Sequence, residues 1–141
     1  MVNPDLIFYG YINDNIKNYV NENKYLYTIL KNLYADKELT QKIGFGVVDG
    51  TQNTYNETTS FSETEIYYLP EGTITTFLAD AKISPNDSDI FTKGEKSNSR
   101  ILNSTGKFSF ATGYIIFEAL STNLRYYQVY FDSSIIRAIQ N

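Results

Sequence analysis

The segment Leu124–Phe131 constrains the fold most, because large side chains occupy both of its faces. Successive side chains of a strand point to opposite sides. One side therefore carries Leu124, Tyr126, Gln128 and Tyr130, and the other carries Arg125, Tyr127, Val129 and Phe131. A strand with a solvated outer face would be more polar on that face. We therefore predict an all-β fold, a closed or nearly closed antiparallel barrel, with this strand's other face packed on a helix or another subunit.

The chain has 141 residues, the usual size of one domain, so residues 1–141 are predicted to form a single barrel domain. Hydrophobic residues make up 42% of the sequence, and 13 Tyr and 9 Phe supply ample surface for a core. The formal net charge is −4. Because no basic field is available to collect phosphates, we predict no nucleic-acid partner.

The sequence contains neither cysteine nor histidine. This excludes thiolate or imidazole zinc sites, a cysteine nucleophile, a Ser-His-Asp relay and histidine acid/base catalysis. We predict no metal site and no cofactor. The N-terminus carries Asp5 instead of a basic region, and its apolar run breaks at Asn13. It is therefore expected to hold neither a signal peptide nor a membrane span, which favours a soluble protein of the cytoplasm or of a virion.

One short N-terminal helix is predicted over residues 24–34. Apolar residues follow the i, i+3, i+4 spacing of a helix there, and Asn23 is available as a cap. The residues with this spacing are Leu26, Ile29, Leu30, Leu33 and Tyr34. The rest of the chain is typical of strands separated by polar turns.

Two early strands are predicted to end at turn-forming residues. Leu6–Ile12 is short, β-branched and aromatic, and leads into Asn13–Asn15. Ile43–Val48 stops at Asp49-Gly50, a strong turn signal, and a polar loop follows to about Ser60. The glycines of this second segment lack the spacing of a nucleotide-binding loop and indicate a tight strand entering a turn.

Further strands are predicted downstream. Phe61–Leu69 and Thr73–Ala79 alternate on either side of a Pro70-Glu71-Gly72 turn and form a candidate hairpin. Ile90-Phe91 is a weak strand. A long strand is predicted over Lys107–Leu120, with Gly113 marking a bend or bulge.

The order of these segments resembles the allene oxide cyclase and dirigent superfamily of small antiparallel β-barrels. Leu33–Lys37 and Gln41–Gly44 are similar to the family's "LY-x-G-D" and "K-x-I-G" elements, and Ile101–Tyr114 to its "I-x-G-G-(S/T)-G-x-F-x-x-x-x-G" turn and strand. Leu69–Phe77 and Tyr126–Phe131 are similar to its central hairpin and its aromatic last strand. The resemblance implies eight strands, a trimer and an apolar cavity at one mouth. It conflicts with the helix over 24–34.

The resemblance implies that most of the cyclase machinery is missing. Asn13 matches a conserved amide of the plant cyclases, Tyr11 stands where they have a Glu, and Lys31 stands where they have an Asn. Their cavity cysteine is missing as well. Asn13, Tyr11 and Lys31 are nevertheless the catalytic candidates that the resemblance supplies.

Two further groups of residues are candidates for a site. Glu63 and Glu65 share one strand face, where two carboxylates in a cavity would push one pKa upward, although a solvated face is favoured. Glu118 shares a predicted face with Phe110 and Tyr114, and Arg125 is placed to pair with it across a hairpin. The candidate ligand-binding residues are Glu118, Arg125, Phe110 and Tyr114. Exposure near the strand end is nevertheless favoured for Glu118.

The function predicted first is non-catalytic: a homo-oligomeric barrel, most simply a trimer, acting as a structural, assembly or binding component with other particle proteins, for example in a virion. The alternative is a cyclase-like enzyme or dirigent-like steering protein acting on a hydrophobic small molecule in the barrel mouth. A carrier would need the same cavity but no reactive group. The enzyme alternative requires a preformed cavity, typically about 300 Å³ or more, with a few convergent polar groups.

Overall fold

A computed structural model describes residues 3–83 and 96–132. Within these ranges eight strands form a closed barrel in which each strand pairs antiparallel with the next and β8 pairs with β1. The prediction of an all-β, antiparallel eight-stranded barrel is confirmed. The strands are β1 (Leu6–Asn21), β2 (Lys24–Tyr34), β3 (Lys42–Tyr55), β4 (Thr58–Leu69), β5 (Gly72–Ile83), β6 (Lys96–Ser104), β7 (Gly113–Ala119) and β8 (Leu124–Phe131).

The prediction of a helix over 24–34 is wrong, because this segment is β2, paired along its length with β1 and β3. Leu33 lies fully buried inside the barrel, whereas Leu26 and Leu30 are 45% and 37% exposed on its outside. Leu26 and Leu30 on one face of the strand and Leu33 on the other happen to have the i, i+4, i+7 spacing of a helix. The expectation from the family resemblance, an extended chain, is the correct one here.

Two predicted turns lie inside strands. β1 continues past Asn13–Asn15, because a register shift between Ile12 and Asp14 absorbs the extra residue as a bulge. β3 continues past Asp49-Gly50, and its turn falls at Asn56 and Glu57, both with positive φ. Strand pairing thus overrides the turn-forming residues, with β2 alone in the first case and with β2 and β4 in the second.

The long strand predicted over Lys107–Leu120 is also shorter than expected. A short 3₁₀ helix spans Gly106–Phe108, and β7 begins only at Gly113. The hairpin predicted around Pro70-Glu71-Gly72 is confirmed as β4 and β5. The weak strand predicted at Ile90-Phe91 lies outside the described residues.

One end of the barrel is packed with aromatic side chains. Phe8 stacks on Tyr127 with ring centroids 5.0 Å apart and meets Tyr67 edge-on at 5.4 Å. Phe108, from the 3₁₀ helix, adds to the same core as Leu33. This packing closes the end of the barrel that carries the β4–β5 turn.

Within residues 3–83 and 96–132 the opposite end is open, because the strands differ in length. β8 pairs with β1 only from Leu6 to Tyr11, while β1 and β2 continue as a hairpin to Asn21 and Lys24. The β7–β8 connection meets β1 at Ile12, whose N–H donates to the carbonyl of Asn123. Beyond this level the β1–β2 and β3–β4 hairpins form a wall without a counterpart from β8, and a cavity opens beside it.

No helix within residues 3–83 and 96–132 is long and apolar enough to cross a membrane.

Two leucines of β2 test the strand against the helix. Leu33→Ala should lower the free energy of unfolding by about 2–5 kcal/mol, because Leu33 is fully buried. Leu30→Ala should cost about 1 kcal/mol or less, since Leu30 lies on the outer face. Urea unfolding of both variants measures the difference; equal, large losses would instead indicate a helix that buries both leucines.

Candidate active site

A cavity of about 170 Å³ occupies the open end of the barrel, with residues from β1, β2, β3, β4, β7, β8 and the β7–β8 connection in its wall. This is smaller than the roughly 300 Å³ typical of a ligand pocket, so it has room only for a small ring or for one end of a larger molecule. Its apolar lining includes Ile12, Ile29, Val48 and Phe117. Its polar lining includes Tyr27, Lys31, Glu63 and Arg125.

Glu63 and Tyr27 meet across an intervening glycine. Gly50 of β3 pairs with Tyr27 on one side and with Glu63 on the other, so the three residues form one row across the sheet. The Tyr27 hydroxyl donates to Oε2 of Glu63 at 2.6 Å. A Cβ atom on Gly50 would lie 2.3 Å from Cζ of Tyr27, so only glycine lets this ring cross the row.

Deeper in the barrel, Lys31 and Glu65 form a buried ion pair. Nζ of Lys31 lies 2.8 Å from Oε2 of Glu65, and both side chains are almost inaccessible. Lys31 also donates to the hydroxyl oxygen of Tyr127 at 2.5 Å, and the Tyr67 hydroxyl donates to Oε1 of Glu65 at 2.6 Å. The pair is thus hydrogen-bonded on both sides, as a buried ion pair requires.

Two more glycines make room for this network. A Cβ atom on Gly46 would lie 3.3 Å from Oε2 of Glu65, and one on Gly10 would lie 2.8 Å from the ring of Tyr127. The sequence interpretation of a tight strand entering a turn explained only part of the glycine pattern. Gly46 and Gly50 both lie within β3 and leave space for polar side chains from β2 and β4.

The electrostatic environment separates the roles of Glu63 and Lys31, two of the ionisable groups in the cavity wall. Burial raises the pKa of the Glu63 carboxyl, the Tyr27 hydrogen bond lowers it, and the charge of Glu65 raises it again, with a net rise. Burial acts to lower the pKa of Lys31, but the attraction of Glu65 and the interactions with Tyr127 outweigh it and raise that pKa. Lys31 is therefore held as an ammonium, whereas the protonated form of Glu63 is favoured relative to that of an exposed carboxyl.

Arg125 enters the cavity from β8 and is held by the β7–β8 connection. Its Nη1 donates to the carbonyl oxygens of Ser121 at 2.7 Å and Thr122 at 3.1 Å. The side chain is nearly buried, with 7% exposure. Its charge acts to lower the pKa of Glu63, so the two groups interact electrostatically across the cavity.

Of the residues predicted from the sequence, the structure brings Lys31 and Arg125 into the cavity wall. Tyr11 lies on the outer face and Asn13 is exposed in the β1 bulge. Phe110 is 83% exposed in the turn before β7. Any catalytic or binding role of these three stays a prediction without support from the cavity geometry.

Tyr114 and Glu118 lie on the outer face of β7, in agreement with the exposure favoured for Glu118 and not with a role in lining the barrel interior. The inner face of β7 consists of Ile115, Phe117 and Ala119, which turns Glu118 outward. Glu118 lies 3.7 Å from Nζ of Lys96 on the surface, whereas Arg125 points inward. The predicted pair between Glu118 and Arg125 is therefore wrong, because the register places them on opposite faces of the sheet.

The favoured interpretation of Glu63 and Glu65 is also wrong. Both lie inside the barrel, 9% and 4% exposed, and not on a solvated strand face. Their alternation with Phe61 and Tyr67, two buried aromatics, is the sequence signal that places them there.

Tyr27, Tyr67 and Tyr127 were not identified as site residues from the sequence. Tyr27 fell within the predicted helix, and the other two were assigned to strand faces without a polar role. An inward alternation of Tyr27, Ile29, Lys31 and Leu33 was the available signal, since a lysine on that face needs a buried partner. Among the described residues, no group of three His, Cys, Asp or Glu is placed to hold a metal ion.

Removing the Tyr27 hydroxyl tests the contact with Glu63. Tyr27→Phe should raise the pKa of Glu63 further, because the lost hydrogen bond stabilises the charged carboxylate. An NMR pH titration of the Glu63 carboxyl carbon measures this shift. Tyr25→Phe is the matched control, since the Tyr25 hydroxyl binds Gln52 and not Glu63. An unchanged or lowered Glu63 pKa in Tyr27→Phe would contradict the contact.

A double-mutant cycle tests the buried ion pair. Lys31→Met or Glu65→Leu alone should cost about 3–5 kcal/mol of unfolding free energy, because each leaves an uncompensated buried charge. The double variant should cost clearly less than the sum of the two. Lys96→Met with Glu118→Leu is the surface control, for which a coupling energy of about 1 kcal/mol or less is expected. Additive losses at Lys31 and Glu65 would show that the pair does not form.

No protein-family model matches the sequence, and no curated protein matches it either. Solved structures do share its fold. A protein described as pyocyanin demethylase superposes with a TM-score of 0.66 over 87% of this chain and 96% of its own, at 11% identity. AbnU, described as an exo-specific intermolecular Diels-Alderase, superposes with a TM-score of 0.63 over 86% and 92%, also at 11% identity.

These neighbours support the resemblance to the extent of a shared barrel fold, and the closer placement within the allene oxide cyclase and dirigent superfamily is not shown. Both neighbours are named as enzymes. The prediction of a non-catalytic structural component is contradicted by this finding, which favours the alternative of an enzyme acting on a small molecule. Homo-oligomerisation, a trimer included, stays a prediction.

Proposed function

We propose that this protein is a small-molecule enzyme of the cyclase or isomerase type, with a hydrophobic substrate bound in the open end of the barrel. Glu63 is the general acid/base, and Tyr27 and Lys31 orient the substrate and polarise it. The observation that carries the proposal is the buried Glu63 carboxyl, which lines a cavity of mixed polar and apolar side chains and is hydrogen-bonded to a tyrosine.

Glu63 is suited to proton transfer for two physical reasons. Burial raises the pKa of its carboxyl, which makes the carboxylate a stronger base than an exposed Glu. Its partner Tyr27 has a pKa raised by burial and by Glu63 itself, so this phenol stays a neutral donor. The Tyr27 hydrogen bond therefore holds the carboxylate in place without taking the proton.

Lys31 supports this chemistry as a fixed positive donor and not as a nucleophile. Two of its three N–H bonds point to Glu65 and Tyr127, and its side chain also lines the cavity. An ammonium in a poorly hydrated site stabilises negative charge that develops on a substrate oxygen. Glu65 fixes the position of Lys31 and keeps it protonated, which makes Glu65 a positioning residue.

The shape of the cavity supports a ring closure or rearrangement. A rigid barrel wall restricts a bound molecule to few conformations, and such preorganisation alone supplies a large part of the barrier reduction in intramolecular reactions. One barrel of the same fold is named as a Diels-Alderase and another as a demethylase. We also propose that the resemblance extends to the allene oxide cyclases, which would likewise indicate a ring closure.

Kemp elimination of 5-nitrobenzisoxazole tests Glu63 without knowledge of the natural substrate. A carboxylate base removes the ring C–H proton, the N–O bond breaks, and a coloured cyanonitrophenolate forms. The rate should rise with pH through a midpoint above the ordinary Glu value of about 4.3, because the base is the deprotonated carboxylate. Glu63→Gln should lower kcat/KM by about 100-fold or more.

Glu71→Gln is the matched control, since Glu71 is exposed in the β4–β5 turn at the closed end. It should leave both rate and pH profile unchanged. Equal rates for the unmodified protein and Glu63→Gln, with both folded by circular dichroism, would contradict the assignment of Glu63. Native mass spectrometry of protein from its own source should in addition detect a retained hydrophobic molecule.

A further inference from the structure

A row of three tyrosines leads from the candidate catalytic carboxyl towards the surface. Tyr25 and Tyr27 lie two residues apart on β2, and Tyr19 of β1 pairs with Tyr25. Residues two apart on a strand share a face of the sheet, and so do residues directly opposite each other in an antiparallel pair. All three side chains therefore lie on the face that continues the cavity wall. The ring centres are 6.1 Å apart from Tyr27 to Tyr25 and 5.3 Å apart from Tyr25 to Tyr19.

The exposure of these rings increases along the row. Tyr27 is 3% exposed beside Glu63, Tyr25 is half-buried in the cavity wall, and Tyr19 is 70% exposed. A single exposed aromatic side chain would need no explanation. Rings at contact distance in a continuous row, beginning at a buried carboxyl, instead form a surface on which a planar group can stack. We call the rings of Tyr19 and Tyr25 the aromatic shelf.

Tyr25 is positioned for such a contact by the barrel wall. Its hydroxyl donates to Oε1 of Gln52 at 2.5 Å, and Gln52 lies opposite it on β3. The Lys17 ammonium lies 5.1 Å from the centre of the Tyr25 ring. Lys17 is exposed, and a lysine has a flexible stem, so a ligand ring can displace it. The ring is thus anchored by Gln52, while its contact with Lys17 is one that a ligand can replace.

The small volume of the cavity indicates what the shelf binds. About 170 Å³ has room only for a small ring or for one end of a larger molecule. We propose that the substrate is a two-part molecule, with a small reacting end in the cavity beside Glu63 and a planar, unsaturated second part stacked on the aromatic shelf. The inference rests on the proposed function for the reacting end and adds a second binding subsite outside the cavity.

Three phenols test this proposal by calorimetric titration of the full chain. Phenol supplies only the end that enters the cavity. para-Phenylphenol adds a planar aromatic ring, and para-cyclohexylphenol adds a puckered, saturated ring with the same number of carbon atoms. para-Phenylphenol should bind about tenfold more tightly than phenol, and about threefold more tightly than para-cyclohexylphenol, because only its second ring can stack. Equal affinity of the two larger probes, tighter binding of the cyclohexyl probe, no gain over phenol, or no binding of any probe overturns the proposal.

Removing one ring at a time tests whether the shelf causes this preference. Tyr19→Leu keeps an apolar side chain at an exposed position, where folding is secure, and should reduce the preference for para-phenylphenol over para-cyclohexylphenol about twofold. Tyr25→Leu, with its fold checked by circular dichroism, should abolish that preference; if this variant does not fold, Tyr19→Leu alone decides. Tyr55→Leu is the matched control, since Tyr55 is 78% exposed at the end of β3 and belongs neither to the shelf nor to the cavity wall. It should leave all three affinities unchanged. A preference that survives the loss of the shelf rings would overturn the assignment.

The failure of this inference is distinguishable from the failure of the proposed function. Glu63→Gln should lose Kemp activity and keep the preference for para-phenylphenol. A shelf-dependent preference without Glu63-dependent turnover would support the second subsite and contradict the enzymatic function. Glu63-dependent turnover without that preference would support the enzymatic function and overturn the two-part substrate.

Discussion

The ion pair between Lys31 and Glu65 is the interaction on which the interior of this barrel depends. A charge taken out of water is costly unless an opposite charge and hydrogen-bond partners surround it. Here Tyr67 binds one carboxylate oxygen, and the ammonium binds the other oxygen and the hydroxyl of Tyr127. Both tyrosines also pack against Phe8 in the closed end. The pair therefore marks the level at which an aromatic core becomes a polar cavity.

This network exists because some barrel positions have no side chain. Gly10, Gly46 and Gly50 lie on the inner face, where the polar chains of neighbouring strands cross above them. Glycine weakens an isolated strand, since it adds no packing and loses more backbone entropy on folding. That cost is offset when the vacated space lets a tyrosine reach a carboxylate two strands away, as Tyr27 does over Gly50. The arrangement of the polar cavity residues thus depends partly on glycines, which have no side chain of their own.

Much of the fold could be predicted from the sequence, because alternation in β4 and β8 and the aromatic content already require a closed sheet. The faces of β8 were predicted correctly, and its inner face includes Arg125 and Tyr127. β2 was harder, since Leu26 and Leu30 on the outer face have the spacing of a helix. Strand ends at Asn13 and Gly50 were misplaced because pairing partners distant in the chain, invisible to local patterns, override turn preferences.

The candidate site was predictable only in part for the same reason. Lys31 and Arg125 were predicted as site residues. The sequence around Lys31 does not show that it pairs with Glu65, since Lys31 lies on β2 and Glu65 on β4. Glu63 was weighed as a solvated residue because charged residues are usually exposed. An inner position for Glu118 was considered as the alternative to exposure. That alternative took the irregular turn before Gly113 as continuous strand, and a slip of one residue reverses every face.

Because the strands at the open end are unequal in length, the depth of the cavity can change when some of them are lengthened. The β1–β2 and β3–β4 hairpins extend past the level of the β7–β8 connection and pair with each other there. Lengthening each strand by two residues would raise that wall by roughly 7 Å and keep every side chain on its present face. Lengthening a strand by one residue would instead move its inward-facing side chains to the outer face. Related barrels can therefore be expected to differ in depth by even steps, with the ion pair and the closed end untouched.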